Sequence, residues 1–297
     1  RHEIVKEKSV EELNAQLVSL VGDEKLSIYK LGYGDDLNGR PSFSLPTNDI
    51  KKLDPGSTCE IFITSVQGRC LGYGTVTAMP DTLIFLTAAD QSEQLIDHFE
   101  RYVITEDVHF RDLSDRFVFL LTDVETGVPA DPVDTDEFFF IPSNWFTTPS
   151  NWLVSKQPQP GFLEGMEPFE PDLAHTARII NGIPEYGIDV SSDNFPQEIQ
   201  RDESAISFTK GCYLGQEPIA RIDALGHVNW YLVTVKIDTT EAIEQGETLQ
   251  HAGVVVAKIR SVQSGTAATQ FALALVRRET AQSETVIQTD CGTLTVV

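Results

Sequence analysis

Positive charge is scarce in this chain. Its 22 lysines and arginines face 45 aspartates and glutamates, leaving 297 residues at a formal net charge of −23. A surface of that sign repels phosphate backbones over a Debye length or more, which argues against bulk nucleic-acid binding. No basic cluster exceeds the pairs Lys51-Lys52 and Arg277-Arg278, although a local basic pocket can survive inside an acidic field. Long apolar runs are missing too. No stretch approaches a membrane span, and the opening Arg-His-Glu-Ile-Val-Lys-Glu-Lys lacks the apolar core of a signal peptide, so the expectation is a cytoplasmic protein with no membrane partner. The four cysteines, Cys59, Cys70, Cys212 and Cys291, are scattered and never fall at Cys-x-x-Cys spacing. That excludes a zinc knuckle or a complete cluster-binding site, names no metal ligands, and fits a reducing compartment.

A hydrophobic content of 41% and a charged content of 23% are ordinary for a globular chain, and the length suits two or three domains. The pattern predicts an amphipathic helix from Ser9, with Leu13, Leu17, Leu20 and Val21 on one face, and a strand over Leu26–Tyr29. Pro41–Leu45 reads as a short extended piece, and Thr47-Asn48-Asp49 as the cap of a helical turn running to Leu53. Strands rich in β-branched and aromatic residues follow at Cys59–Thr64, Leu71–Thr77 and Thr82–Thr87. A helix over Gln91–Val103 comes next, burying Leu95, Ile96, Phe99, Tyr102 and Val103. Further strands are expected at Val108–Phe110 and Phe117–Thr122.

The acidic stretch Asp123–Asp136 reads as a surface excursion, and Gln157–Pro171 as a loop. The aromatic run Phe138–Trp152 is balanced between a pocket wall and plain core. A helix capped by Asp172 should run through Ile180 and stop at Asn181-Gly182. Beyond Gly226 the texture becomes short strands at Asn229–Ile237, Gly253–Val262, Gln270–Val276 and Thr285–Val297. A small closed or half-closed β-barrel over 226–297 is expected, after an α+β domain over 1–225.

Chemistry is concentrated in Lys210-Gly-Cys-Tyr-Leu-Gly-Gln-Glu-Pro-Ile-Ala-Arg221. An apolar run at Ala205, Ile206 and Phe208 predicts a strand before it. Gln216–Ile222 has helical composition, with Pro218 in the first turn. Strand, glycine turn and helix would set Cys212 near a helix N-terminus and beside Lys210, both favouring a thiolate; the plainer reading is a small buried cysteine. His227 is either an acid/base partner for that sulfur or a turn residue, which leaves a Cys-His hydrolase as a weaker reading.

The dodecapeptide resembles the signature of the YgfZ-like folate-binding proteins, a branch of the glycine cleavage T-protein (aminomethyltransferase) superfamily. Arg178, Gly182, Gly187 and Asp189 are similar to a second landmark of that family, Asn194-Phe195-Pro196-Gln197-Glu198 to a third, and Thr47-Asn48-Asp49-Ile50 to its N-terminal motif. The resemblance implies a bilobed folate-binding domain followed by a small β-barrel, with tetrahydrofolate or another folate derivative as cofactor and iron–sulfur client proteins as partners. It also implies a role in iron–sulfur assembly or repair, which in bacterial relatives is linked to tRNA modification. Cys212 would be the reactive thiol.

A pterin with a polyanionic glutamate tail needs flat walls, carboxylates for its ring donors and cations for the tail. Tyr213 and the Trp145/Trp152 region offer walls, Glu198 and Glu217 carboxylates, and Lys210 and Arg221 cations. Gln216, Asn48 and Asp49 complete the candidate set.

The resemblance is incomplete. The strand that would carry the aminomethyltransferase aspartate reads Gly72-Tyr-Gly-Thr-Val76, the position of a family glutamate falls on Ile180 or Asn181, and Trp230-Tyr231 replace two arginines. Glu198 or Glu185 could substitute for the missing glutamate. Classical aminomethyl transfer is therefore not expected. A folate-dependent one-carbon transferase using another base, and a binding module that has lost its cofactor, remain alternatives.

Overall fold

The computed structural model describes residues 18–20, 27–32, 45–79, 82–88, 91–102, 108–114, 118–123, 138–143, 150–155, 171–264 and 268–297. The amphipathic pattern from Ser9 lies outside these residues as far as Leu17, and where it is described, at Val18–Leu20, the chain is a strand paired in a sheet rather than a helix. The acidic stretch after Asp123, Trp145, the loop after Gln157, most of Pro41–Leu45 and Val103 also lie outside.

Fifteen strands run in chain order: β1 (Val18–Leu20), β2 (Ser27–Gly32), β3 (Thr58–Thr64), β4 (Cys70–Ala78), β5 (Thr82–Thr87), β6 (His109–Asp112), β7 (Val118–Asp123), β8 (Phe138–Ser143), β9 (Ser150–Ser155), β10 (Trp230–Thr239), β11 (Thr248–His251), β12 (Val254–Val262), β13 (Thr269–Arg277), β14 (Val286–Thr289) and β15 (Gly292–Val296). Among the described residues, which carry these strands, four α-helices are also found: α1 (Ser92–Glu100), α2 (Pro171–Ile180), α3 (Asp202–Ala205) and α4 (Gln216–Leu225). Short 3-10 turns occupy Ile50–Lys52, Pro196–Ile199 and Arg278–Thr280. The strands form three antiparallel sheets, ordered β3-β4-β5-β2-β6, β1-β7-β9-β8 and β11-β12-β13-β10-β15-β14. Helices and antiparallel sheets are thus mixed along the chain.

The first sheet packs against α1, where Leu95 and Phe99 enter a core with Ile61, Ile63, Val76, Leu83 and Phe85. That helix is shorter than its apolar spacing predicts. It ends at Glu100, so Tyr102 is carried past the buried face to 39% exposure, where its ring packs on His98 at 5.3 Å between centroids. In the second sheet Phe140, Ile141, Trp152 and Leu153 are buried, which settles the Trp152 half of the aromatic run as core.

The six-stranded sheet curls on itself into a near-closed barrel. The Asp290 N–H donates to the Gln250 carbonyl at 2.8 Å, drawing the β14–β15 turn onto β11. Val235, Ile237, Leu249, Ala257, Ile259, Ala274 and Leu294 fill its interior. The run Thr285–Val297 is a hairpin rather than one strand. The polar strand β11 carries too little apolar periodicity to announce itself.

A third cluster lies between the barrel and the first sheet. Phe62 and Tyr73 from β3 and β4, Ile179 from α2, Tyr213, Ile219 from α4, and Leu232, Leu273 and Leu275 from the barrel meet there. Beside it Arg178, 1% exposed, donates to Asp189 Oδ2 at 2.6 Å, to the Ile183 carbonyl at 2.7 Å and to Ser261 Oγ at 2.7 Å, while Ser261 Oγ donates to Asp189 Oδ1 at 2.6 Å. A buried guanidinium with its fork filled ties α2 to the β12 bulge between Ile259 and Ser261.

Candidate functional site

The local fold of the dodecapeptide is set by glycine and by contacts from far upstream. Gly215 adopts φ 78° as N-cap of α4, and a Cβ there would run into the Ser65 carbonyl oxygen and the backbone of Gly68. Gly68, at φ 76°, touches Pro218 in turn. Thr64 Oγ1 donates to the Leu214 carbonyl at 2.5 Å. The β3–β4 turn is therefore pressed against the start of α4, and only glycines permit that approach. The glycine turn and the helix match expectation. The strand before them does not form, because Asp202–Ala205 is one turn of helix, Ala205 and Ile206 are buried, and Phe208 is 46% exposed. Ser207 bonds through its N–H to the Thr47 carbonyl instead of joining a sheet.

Cys212 is exposed on the loop three residues ahead of Gly215. Cys59 and Cys291 are half-buried and Cys70 is fully buried. Burial, helped by Glu60, pushes the Cys59 thiol up to about 12, and burial with Glu198 nearby raises Cys70 well above the ordinary thiol range. Cys212 is the solvent-facing thiol among the described residues.

Lys210 folds back, donating to the Pro46 carbonyl and, at 3.0 Å, to the Asn48 carbonyl. Its ammonium also lies 5.4 Å from the Tyr213 ring centre. Burial lowers its pKa to about 8, with Asp49 and Cys59 opposing and Lys51 adding to the shift. Thr47-Asn48-Asp49 leads into a single 3-10 turn, Ile50–Lys52, with Asp49 at its N-cap and Leu53 at its C-cap, as the spacing predicts. Asn48 Nδ2 bridges the Glu60 and Ser204 carbonyls at 3.1 and 2.8 Å, and Asp49 pairs with Lys52 at 2.8 Å. Thr47, expected as a cap and as part of the N-terminal motif, is the buried joint, since Thr47 Oγ1 donates to the Ala205 carbonyl and accepts from the Phe62 N–H.

Tyr213 is 7% exposed and sits in the third cluster. Burial, then Asp202 and Asp223, push its phenol up to about 12. Gln216 is half-buried, while Glu217 and Arg221 stand exposed on α4. Glu198 caps its own 3-10 turn, accepting from the Phe195 N–H at 3.0 Å and from Asn194 Nδ2 at 3.2 Å. Glu185 lies 3.7 Å from Arg178, and His227 is exposed in the link from α4 to β10. The structure thus gathers Lys210, Asn48 and Asp49 on one side and Tyr213 with the start of α4 on the other.

Two residues that were not expected as ligands lie around the third cluster, Asp202 near Tyr213 and Gln197, named only as a letter of a landmark, bonded to Ile219. Gln197, 6% exposed, donates through Nε2 to the Ile219 carbonyl at 2.9 Å and leaves Oε1 without a hydrogen-bond partner. Asp202 has a buried Oδ1, also without one. Burial raises Asp202 to about 6, with Asp223 and Glu203 contributing. Buried acceptors left empty are costly, about 1–3 kcal/mol each, and call for a donor. Only tertiary burial marks Asp202, while the sole signal at Gln197 was its place in the third landmark.

The strand β4 holds no carboxylate. A Cβ at Gly74 would strike the Leu86 carbonyl oxygen, and Gly72 abuts Leu95. Between them Tyr73 donates to Glu60 Oε2 at 2.6 Å, and Arg201 clamps that carboxylate from the other side. Glu60 is 6% exposed and held by both groups.

No family model matches the chain. An uncharacterised protein of Haemophilus influenzae is 25% identical over 209 residues, 69% of each chain. Among solved structures, the glycine cleavage system aminomethyltransferase T from Bartonella henselae matches with a TM-score of 0.74, covering 97% of this chain and 87% of that one. The fold is aminomethyltransferase-like. At 12% identity that likeness speaks for architecture, and this aminomethyltransferase-like fold carries a β4 whose glycines leave no room for an acid at position 74.

Proposed function

We propose that this chain binds a reduced folate and presents Cys212 as a reactive thiol in the maintenance of iron–sulfur proteins. In this reading residues 1–225 form a bilobed folate-binding domain and 226–297 a closing barrel. The observation that carries the folate half is the pair of empty buried acceptors, Gln197 Oε1 and Asp202 Oδ1, in the surroundings of the buried phenol of Tyr213. A pterin edge presents an amino group and ring N–H donors, and its flat face suits an aromatic wall, so the acceptor-rich surroundings fit the group. Gln197, Asp202 and Tyr213 would hold the ring. Folate, when bound, supplies a one-carbon or redox-active heterocycle, while the chain's own residues orient it and exclude water.

The thiol half is supported by exposure. One thiolate cannot hold a cluster unaided, so Cys212 would be a redox-active or transient ligand to iron or sulfide carried as cargo. The full-length coverage of an aminomethyltransferase favours a second reading, a folate-dependent one-carbon transferase. It would need a base elsewhere, because β4 holds no carboxylate and Glu60 of β3 is already bound by Arg201 and Tyr73.

Titration calorimetry with tetrahydrofolate tests the first half. Binding is expected, with a gain of about 2.7 kcal/mol in stability at a hundred times the dissociation constant. Asp202→Asn, which swaps one acceptor oxygen for a donor, should weaken it about tenfold or more. Absence of heat and of a thermal shift would overturn it. For the second half, Cys212→Ser should lower iron–sulfur enzyme activities in the host without altering folate affinity; unchanged activities would remove the thiol role. Incubation with methylene donors and tetrahydrofolate, with no product formed, would dispose of the transferase.

A further inference from the structure

At the rim of the third cluster, the first residue of β10 gathers cations that the acidic chain leaves unpaired. Trp230 faces Arg277 in the β10–β13 register, and Leu275, two pairs further in, faces Lys258 of β12. The Lys258 ammonium lies 4.5 Å and the Arg277 guanidinium 4.2 Å from the Trp230 ring centre. Both cations are half-buried, and Trp230 packs against the cluster that holds Tyr213. Arg278, whose backbone N–H bonds the Asn229 carbonyl, and Arg260, two residues past Lys258 on β12, each keep a buried Nε–H with no acceptor.

Among the described residues no carboxylate pairs with any of these four. In a chain with twice as many acids as bases that is an unusual vacancy of counter-charge. Two cations on one indole gain from its quadrupole but repel each other, and half-burial weakens the water that would screen them. An incoming anion with several oxygens relieves the repulsion and fills the idle N–H groups together.

We infer that Trp230, Lys258, Arg277 and Arg278 form the anchor for an acidic tail bearing two or more carboxylates on the ligand whose ring meets Tyr213. This rests on the folate reading and makes it specific. The tail is taken by the barrel, not by Lys210, whose ammonium donates to the Pro46 and Asn48 carbonyls. The indole acts as the platform that fixes where the two charges stand.

The test uses the full chain and four probes: a tetrahydropterin without glutamate, tetrahydrofolate, its triglutamate form, and free γ-linked triglutamate. Affinity should rise from the first to the third probe and fall steeply with added salt for the acidic ones. Lys258→Ala and Arg277→Ala should each weaken the triglutamate form about tenfold and leave the tail-less pterin unchanged. Lys236→Ala, which removes an equal charge from an exposed pair with Asp238, should change nothing. The Lys258 side chain makes no described hydrogen bond and its backbone ladder is kept on substitution, so its variant separates charge from folding. If wild type binds all pterins equally, or the variants weaken every probe alike, the anchor is wrong while the folate reading stands. If free triglutamate binds in an Arg277-dependent way and no pterin does, the anchor stands and the folate reading falls. If no probe binds, both fall.

Discussion

At the scale of single residues, burial decides what the letters leave open. Cys212 and Tyr213 stood out as candidates from the company they keep within one short motif. Asp202 did not, because an aspartate in a polar stretch looks like surface until the chain closes over it, and Gln197 was visible only as a letter in a landmark. Asp202 gives a sharp expectation. Its carboxyl titrates near 6 in the folded chain against 3.8 for the free side chain, so the folded state holds the proton more tightly. Its contribution to stability is therefore fullest below about pH 4 and is lost as pH rises through 6, which means that at pH 7 the charged carboxylate destabilises the ligand-free fold. Asp202→Asn should raise stability at pH 7 by about 1–2 kcal/mol, after discounting for partial exposure, and the advantage should vanish below pH 4. Urea titrations at the two pH values measure it. An equal effect at both would mean the carboxyl does not titrate as the surroundings demand.

At the scale of elements, sheets and barrel were readable because β-branched alternation and glycine turns survive in one dimension. β3, β4, β5 and α2 fall within a residue or two of the sequence reading. The failures are short. Ala205–Phe208 looked like a strand because a brief apolar run fits either a pleat or a helical turn, and a contact with Thr47 chose between them. Tyr102 was assigned to the core by extending a helix that stops two residues earlier. The start of α4 depends on a feature sequence shows only as a letter. Gly215→Ala must place a Cβ against the Ser65 carbonyl at a left-handed backbone, and a loss of about 2–3 kcal/mol is expected in denaturant unfolding. Gly211→Ala, with nothing near its Cβ, should cost far less. A similar loss in both would show that the close approach is not what holds the loop.

At the scale of the whole molecule, the charge of −23 works against compaction. Raising salt from roughly 10 mM to roughly 500 mM shortens the Debye length from about 30 Å to a few ångströms, so the melting temperature should climb by several degrees. A flat or falling melting curve across that range would mean the acids are already neutralised by local partners. The aminomethyltransferase-like architecture was accessible from motif resemblance, since the landmarks sit on the turns and buried pairs that define it. Arg178 and Asp189, named first as letters in a landmark, are the pair that joins α2 to the barrel. The cations at Lys258 and Arg277 could not be read, because they are far from Trp230 in sequence and converge only through strand register.

The loop bearing Cys212 is fastened to parts of the chain made long before it. Lys210 reaches back 164 positions to Pro46, and Leu214 reaches back 150 to Thr64. On a ribosome adding about 5–20 residues per second, the β3–β4 turn waits many seconds for its partner. The Cys212 sulfur therefore reaches its final setting late in synthesis, and a nascent chain stalled before Lys210 would display the cradle without the thiol.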